Sequence, residues 1–235
     1  MITFQYRITK DNGASAEFKV ELDPVTLNLN HQPQPAYPSW TKLNFNQCPN
    51  CPLKPAEHSH CPVARNLSAI TEPFKQTVSI EMVDVEITTE NRVFKKRTAV
   101  QHAVSSLVGI IMSTSGCPIL EKLKPMVRTH LPFATSQESV YRLLSTYLLA
   151  QYFVMKHGGD PDWEMLKLEE TLKAINIVNA SLVKRLLDMK YQDAALNAIA
   201  RLDCFASMAT LNLNGHSIKE LENIFSVYLE YLGEK

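Results

Sequence analysis

The sequence predicts an α+β fold in which N-terminal β-hairpins pack against a C-terminal α-helical bundle. Apolar and polar residues alternate in four short segments of residues 1–98, and from residue 99 onward the apolar spacing changes to three and four. The chain has 235 residues, of which 45% are hydrophobic, enough for a sizeable core. No repeat, low-complexity run or linker separates residues 1–98 from residues 99–235, so the two parts are expected to share one core as a single globular unit.

The elements follow in order. Ile2, Phe4, Tyr6 and Ile8 lie on one side of a strand, Asn12-Gly13 is a two-residue hairpin turn, and Phe18, Val20 and Leu22 continue the pattern. Asp23-Pro24 turns the chain toward a short third strand at Leu27 and Leu29. The prolines between His31 and Trp40 make an extended connector, with Trp40 as its anchor in the core. The segment from Cys48 to Cys61 has no periodicity, and a helix over 62–71 starts at Pro62. Val78, Ile80, Met82, Val83, Val85 and Ile87 predict a strand with a bulge near Met82, paired through the turn at 89–92 with a strand from Val93 to Thr98.

Ala99, Val100, Ala103, Val104, Leu107, Val108, Ile111 and Met112 form a helical stripe that Gly116 ends. Cys117-Pro118 is expected to open a short helix through Val127. Thr135 and Glu138 form a capping box for a helix that His157-Gly158-Gly159 stops. Asp160 and Pro161 predict the start of another helix running to about Asp188, with an irregularity near Asn176 or Asn179. A further amphipathic stretch covers 191–210, and Ser217 with Glu220 caps a final helix carrying Leu221, Ile224, Phe225, Tyr228 and Leu232.

Charge excludes some functions. Lysine plus arginine equals aspartate plus glutamate at 24 each, so no overall field draws the protein to nucleic acid or an anionic membrane. Met1-Ile-Thr-Phe-Gln-Tyr lacks the basic start and apolar run of a signal peptide, and no apolar run reaches the roughly 18 residues of a membrane span. The expected location is the cytoplasm. No dinucleotide fingerprint, Walker sequence, nucleophile elbow or zinc-protease motif occurs, and the reading leans away from an enzyme.

The cysteines carry the chemistry. Cys48 and Cys51 have the spacing at which one tight turn aims both sulfurs at one centre. Cys61 lies close enough in sequence to fold back, and Cys117 shares their Cys-Pro context. In a reducing compartment such a set is metal-binding more often than disulfide-bonded. Proline is favoured at the first position of a helix, so Cys61 and Cys117 are expected as N-caps, where free backbone N–H groups and the helix dipole favour thiolate. Structural zinc usually takes a second Cys-x-x-Cys turn, and this chain has one such pair and two single cysteines. An iron–sulfur cluster held by Cys48, Cys51, Cys61 and Cys117 is therefore favoured over zinc, and both over four packed thiols. His58 or His60 could replace one cysteine, an arrangement that favours zinc. Cys204, without a following proline, reads as a packed thiol on a helix.

Gln47-Cys-Pro-Asn-Cys-Pro-Leu53, His60-Cys-Pro-Val-Ala-Arg-Asn-Leu67, Ser113-Thr-Ser-Gly-Cys-Pro118 and Thr129-His-Leu-Pro-Phe-Ala-Thr135 resemble a family of uncharacterised bacterial proteins along most of the chain. The resemblance implies that the four Cys-Pro motifs form one set in a bacterial cytoplasmic protein. It implies no substrate or reaction.

Arg128 and His130 follow the Cys117 segment and are candidates to bind an anion or to hydrogen-bond the sulfurs of a cluster, against a plain surface loop. Lys95-Lys96-Arg97 fits a partner-docking patch or a protected edge strand equally well. Tyr141, Tyr147, Tyr152 and Phe153 have helical spacing and are expected in or at the edge of the core. The resulting expectation is a redox-sensing or regulatory protein with a protein partner, its metal centre joining the two parts. The rivals are a structural zinc-binding interaction protein and a thiol-dependent enzyme built on Cys117.

Overall fold

The computed structural model describes residues 1–30, 34–74, 77–189, 197–200, 202 and 221–233. Strands β1 (Ile2–Lys10), β2 (Ser15–Leu22), β3 (Met82–Thr88) and β4 (Val93–Ala99) form one antiparallel sheet in the order β2-β1-β3-β4. The helices are α1 (Pro62–Thr71), α2 (Val100–Thr114), α3 (Ser136–Lys156), α4 (Leu166–Asp188) and α5 (Ser226–Gly233), with a 3₁₀ helix at Leu120–Thr129. The fold is α+β. Of the stretch expected over 191–210, residues 197–200 and 202 are described and helical; Cys204 and the Ser217–Glu220 cap lie outside the described residues.

Strand alternation decides which face is buried. Phe4, Tyr6 and Ile8 of β1 sit beside Val20 of β2 and Val85 and Ile87 of β3, and the register places Tyr6 opposite both Phe18 and Ile87. The other face carries charge: Lys95 pairs with Glu86, and Arg97 with Asp84 and Asp11. These basic residues belong to an edge strand, where cross-strand ion pairs and solvated lysines discourage pairing with another chain.

Helix α2 is buried on nearly every side, from Val100 through Thr114, so it is the central helix rather than a one-sided stripe. One cluster of buried residues runs from Phe4 and Val20 of the sheet through α1 and α2 to Leu172, Leu182 and Leu186 of α4. No helix among the described residues is long and apolar enough to cross a membrane.

Several expectations are corrected. Val78 and Ile80 are 50% and 71% exposed and belong to a turn, not to a bulged strand. The carbonyls of Ser79 and Glu81 instead accept the first N–H groups of α2, from Gln101 and Val100, which a helix start leaves without internal partners. The third strand shrinks to a bridge between Leu22 and Leu29.

The segment after Cys117 is a 3₁₀ helix starting at Leu120, with Pro125 inside it. Asp160 and Pro161 do not begin α4. Met165 adopts a left-handed φ of 59°, and the Asp162 carboxylate accepts the N–H groups of Leu166 and Lys167 as the first turn forms. Helix α4 then runs without a break past Asn176 and Asn179. Of the α3 aromatics only Tyr147 is partly buried; Tyr141, Tyr152 and Phe153 face outward, with Tyr141 stacked on Phe225 at 6.3 Å. The Thr135–Glu138 capping box forms as read.

A four-cysteine candidate metal centre

The cysteine loop is closed at its base by a short ladder. Cys61 N–H donates to the Thr41 carbonyl at 2.8 Å and Leu43 N–H to the Ser59 carbonyl at 3.1 Å, around a Lys42–His60 bridge. Within the loop, Cys51 N–H donates to the Cys48 carbonyl at 3.0 Å, closing the turn that the Cys-x-x-Cys spacing calls for. Pro49 and Pro52 fix φ on either side, and the Gln47 side-chain amide holds the Leu53 carbonyl at 2.8 Å. A loop without an apolar period is thus shaped by hydrogen bonds and prolines.

Cys61 is the residue before α1, with Pro62 at the first helical position, but its side chain makes no capping bond. Cys61 is thus the N-cap residue of α1, as expected, without its sulfur accepting a bond from the helix N-terminus. Gly116, at φ +87°, turns the chain out of α2 and delivers Cys117 to the same region. Cys117 is buried, and its sulfur accepts from the backbone N–H groups of Ile119 and Leu120, so the anion-favouring position holds even though Ile119 rather than Cys117 is the cap residue.

The four thiols are free and act on one another. Burial pushes Cys117 up to about 11, and the charges of Cys61 and Cys48 push the same way. Burial also raises Cys48, reinforced by Cys61 and Cys51 and opposed by Ser181 and Arg185. Cys48 thus lies within electrostatic reach of each of the other three. Among the described residues, no three histidine, cysteine, aspartate or glutamate side chains are already drawn together at metal-holding geometry.

Sequence reasoning missed the contribution of α4. One face of this helix docks on the cysteine loop. The Asn50 side chain donates to the Ala174 carbonyl at 2.9 Å and Asn46 to the Asp188 carboxylate at 2.7 Å. Arg185, 1% exposed, donates to the carbonyls of Trp40, Lys42 and Leu43 at 2.9, 2.7 and 3.0 Å. The signal was present in the sequence: Arg185 interrupts the apolar stripe between Leu182 and Leu186, and a charged residue there needs buried partners.

The other candidates lie elsewhere. The His130 ring meets Phe4 edge-on at 5.4 Å, and its Nε2 is within hydrogen-bond distance of Tyr6 Oη at 3.0 Å and Ser106 Oγ at 3.2 Å. Burial, aided by the Arg142 charge, lowers His130 to about 3, so the ring is neutral. Arg128 is exposed in the last turn of the 3₁₀ helix. His60 pairs with Ser59 and packs on Tyr37, and His58 is exposed. The groups that act on Cys48 and Cys117 are the other thiols, Ser181, Arg185 and the backbone of Ile119 and Leu120.

A family model described as a domain of unknown function (DUF6901) matches residues 2–226. This chain belongs to that family. No curated protein and no solved structure matches it. The match runs through the sheet, the cysteine loop and α4, so every segment that supplies a thiol or docks on one lies within the family's domain.

Proposed function

We propose that the protein is a sensory or regulatory metalloprotein whose centre is held by Cys48, Cys51, Cys61 and Cys117, with an iron–sulfur cluster favoured over zinc. The observation that supports this most is the convergence of these thiols, from a turn, a helix start and the segment after α2, beside a buried arginine. Four free cysteines, with Cys48 within electrostatic reach of the other three, are the donor set that both kinds of centre use. One Cys-x-x-Cys turn with two single cysteines favours the cluster, and a chain of this family found in a reducing cytoplasm would keep its thiols free.

The donor chemistry of the four thiols suits such a centre. The prolines and the Cys48–Cys51 turn set two sulfurs, the Ile119 and Leu120 N–H groups face the Cys117 sulfur, and Ser181 reaches Cys48. An iron–sulfur centre would supply one-electron chemistry, and the chain would supply burial and hydrogen bonds that set its potential. Loss of the centre would loosen the loop from α4 and change the surface offered to a protein partner. Exposed Leu149, Tyr152, Phe153 and Met155 on α3 supply apolar surface for that partner.

The test is elemental analysis with an absorption spectrum on protein purified without oxygen. A cluster gives iron, sulfide and a band near roughly 400 nm that bleaches with oxidant. Zinc without colour moves the reading to the structural alternative. Absence of any stoichiometric metal, unchanged by Cys48→Ser or Cys117→Ser, overturns it.

A further inference from the structure

Arg185 poses a charge problem that the thiols alone do not solve. The residue is 1% exposed, and its hydrogen bonds among the described residues go to backbone carbonyls, of Trp40, Lys42 and Leu43. Among the described residues no carboxylate forms an ion pair with it; Asp188, one turn further along α4, accepts from Asn46. A buried cation without an opposite charge is costly, and carbonyl dipoles offset only part of that cost. On the loop side of this helix face, Arg185 acts on the Cys48 thiol, and the strap it binds carries the carbonyl that takes Cys61 N–H.

Neutral thiols leave the arginine uncompensated. Four thiolates around a divalent ion, or around a cluster core of the same charge, carry a net charge of about −2. We propose, building on the metal-centre reading above, that Arg185 is the buried counter-charge of the cysteine-held centre, so that filling the centre and locking α4 onto the cysteine loop are one coupled event.

The carbonyls explain how the coupling is transmitted. Arg185 takes the carbonyls of residues 40, 42 and 43, and the one it skips, Thr41, takes Cys61 N–H. One short strap therefore joins the cation to a ligand-bearing residue. A filled centre holds Arg185 by charge while the strap holds it by hydrogen bonds. An emptied centre leaves the cation opposite neutral sulfur, and the interface between the loop and α4 weakens. Arg185 acts as a positioning residue through this field, not as a ligand.

The experiment uses the full chain, reduced and freed of metal, with zinc ion alone as the probe, because any four-thiolate site takes it. Zinc affinity is measured by chelator competition, and thermal unfolding is followed with and without zinc, in the wild type, Arg185→Met and Arg185→Lys. The expected result is a loss of about tenfold or more in zinc affinity for Arg185→Met, with a smaller zinc-induced rise in Tm than in the wild type. Arg185→Lys, which keeps the charge and loses the fork, should stay within about threefold of the wild-type affinity, and this variant carries the test alone if Arg185→Met does not fold.

Equal destabilisation of Arg185→Met with and without zinc, at unchanged affinity, would show a purely structural clamp and overturn the inference. So would a tenfold loss in Arg185→Lys. If the wild type binds no zinc and purifies with no metal, the metal-centre reading falls first and the inference falls with it.

Discussion

Arg185 Nη1 donates to the Trp40 carbonyl at 2.9 Å across 145 residues of sequence. Trp40 is itself fully buried, so this contact joins a core anchor of the connector to α4 at the edge of the cysteine loop. Replacing arginine by lysine leaves one flexible ammonium to serve three carbonyls, and buried carbonyls that lose their donor cost about 1–3 kcal/mol each. Arg185→Lys should therefore lower the stability of the metal-free protein by about 2–3 kcal/mol, read from the urea midpoint at constant slope.

If the proposed centre holds a metal, removing it should act on the same contact from the other side. Chelation in reductant, or Cys48→Ser, should lower Tm and make residues 44–58 the first protease site, because that loop has no apolar period and rests on its ties to α4. A loop equally resistant with and without metal would separate the centre from the dock.

The start of α4 depends on Asp162. Its carboxylate accepts from Tyr147 Oη at 2.6 Å and from the N–H groups of Leu166 and Lys167, and these bonds hold it below the usual carboxylate range. Asp162→Ala should lower the thermal midpoint and fray the first turn of α4, seen as faster amide exchange at Leu166 and Lys167.

His130 gives the protein an acid-sensitive core. Its folded-state value, lowered to about 3 from 6.5, means that the unfolded chain binds the proton first as pH falls. Stability is unaffected by this group above pH 6.5 and is lost progressively between 6.5 and about 3. Replacement by glutamine, which cannot titrate, should flatten that part of the stability curve in urea titrations across the window. A curve of unchanged shape would assign the acid sensitivity to other groups.

Much of this architecture follows from local rules. Period-two alternation set the faces of β1 and β2, Pro62 marked the first residue of α1, and Thr135 with Glu138 marked the start of α3. Where local rules failed, a distant group had taken the backbone. The Ser79 and Glu81 carbonyls went to the N-terminus of α2 rather than to a ladder, and the Asp162 carboxylate rather than Asp160 takes the first N–H groups of α4, because Tyr147 and the Gln151 side chain hold it there.

The cysteine set was legible because thiol chemistry restricts spacing and neighbours, so a Cys-x-x-Cys turn and repeated Cys-Pro can be read in one dimension. The sequence by itself determined β1, β2, α1 and α3 with their starts, and these candidate ligands. Only the tertiary structure decided that β1 pairs with β3, that α2 is enclosed on nearly every side, and that the loop rests on α4 through Arg185. Those outcomes depend on which surfaces meet after long loops close, and a buried charge reveals its partner only once the low-dielectric space around it exists.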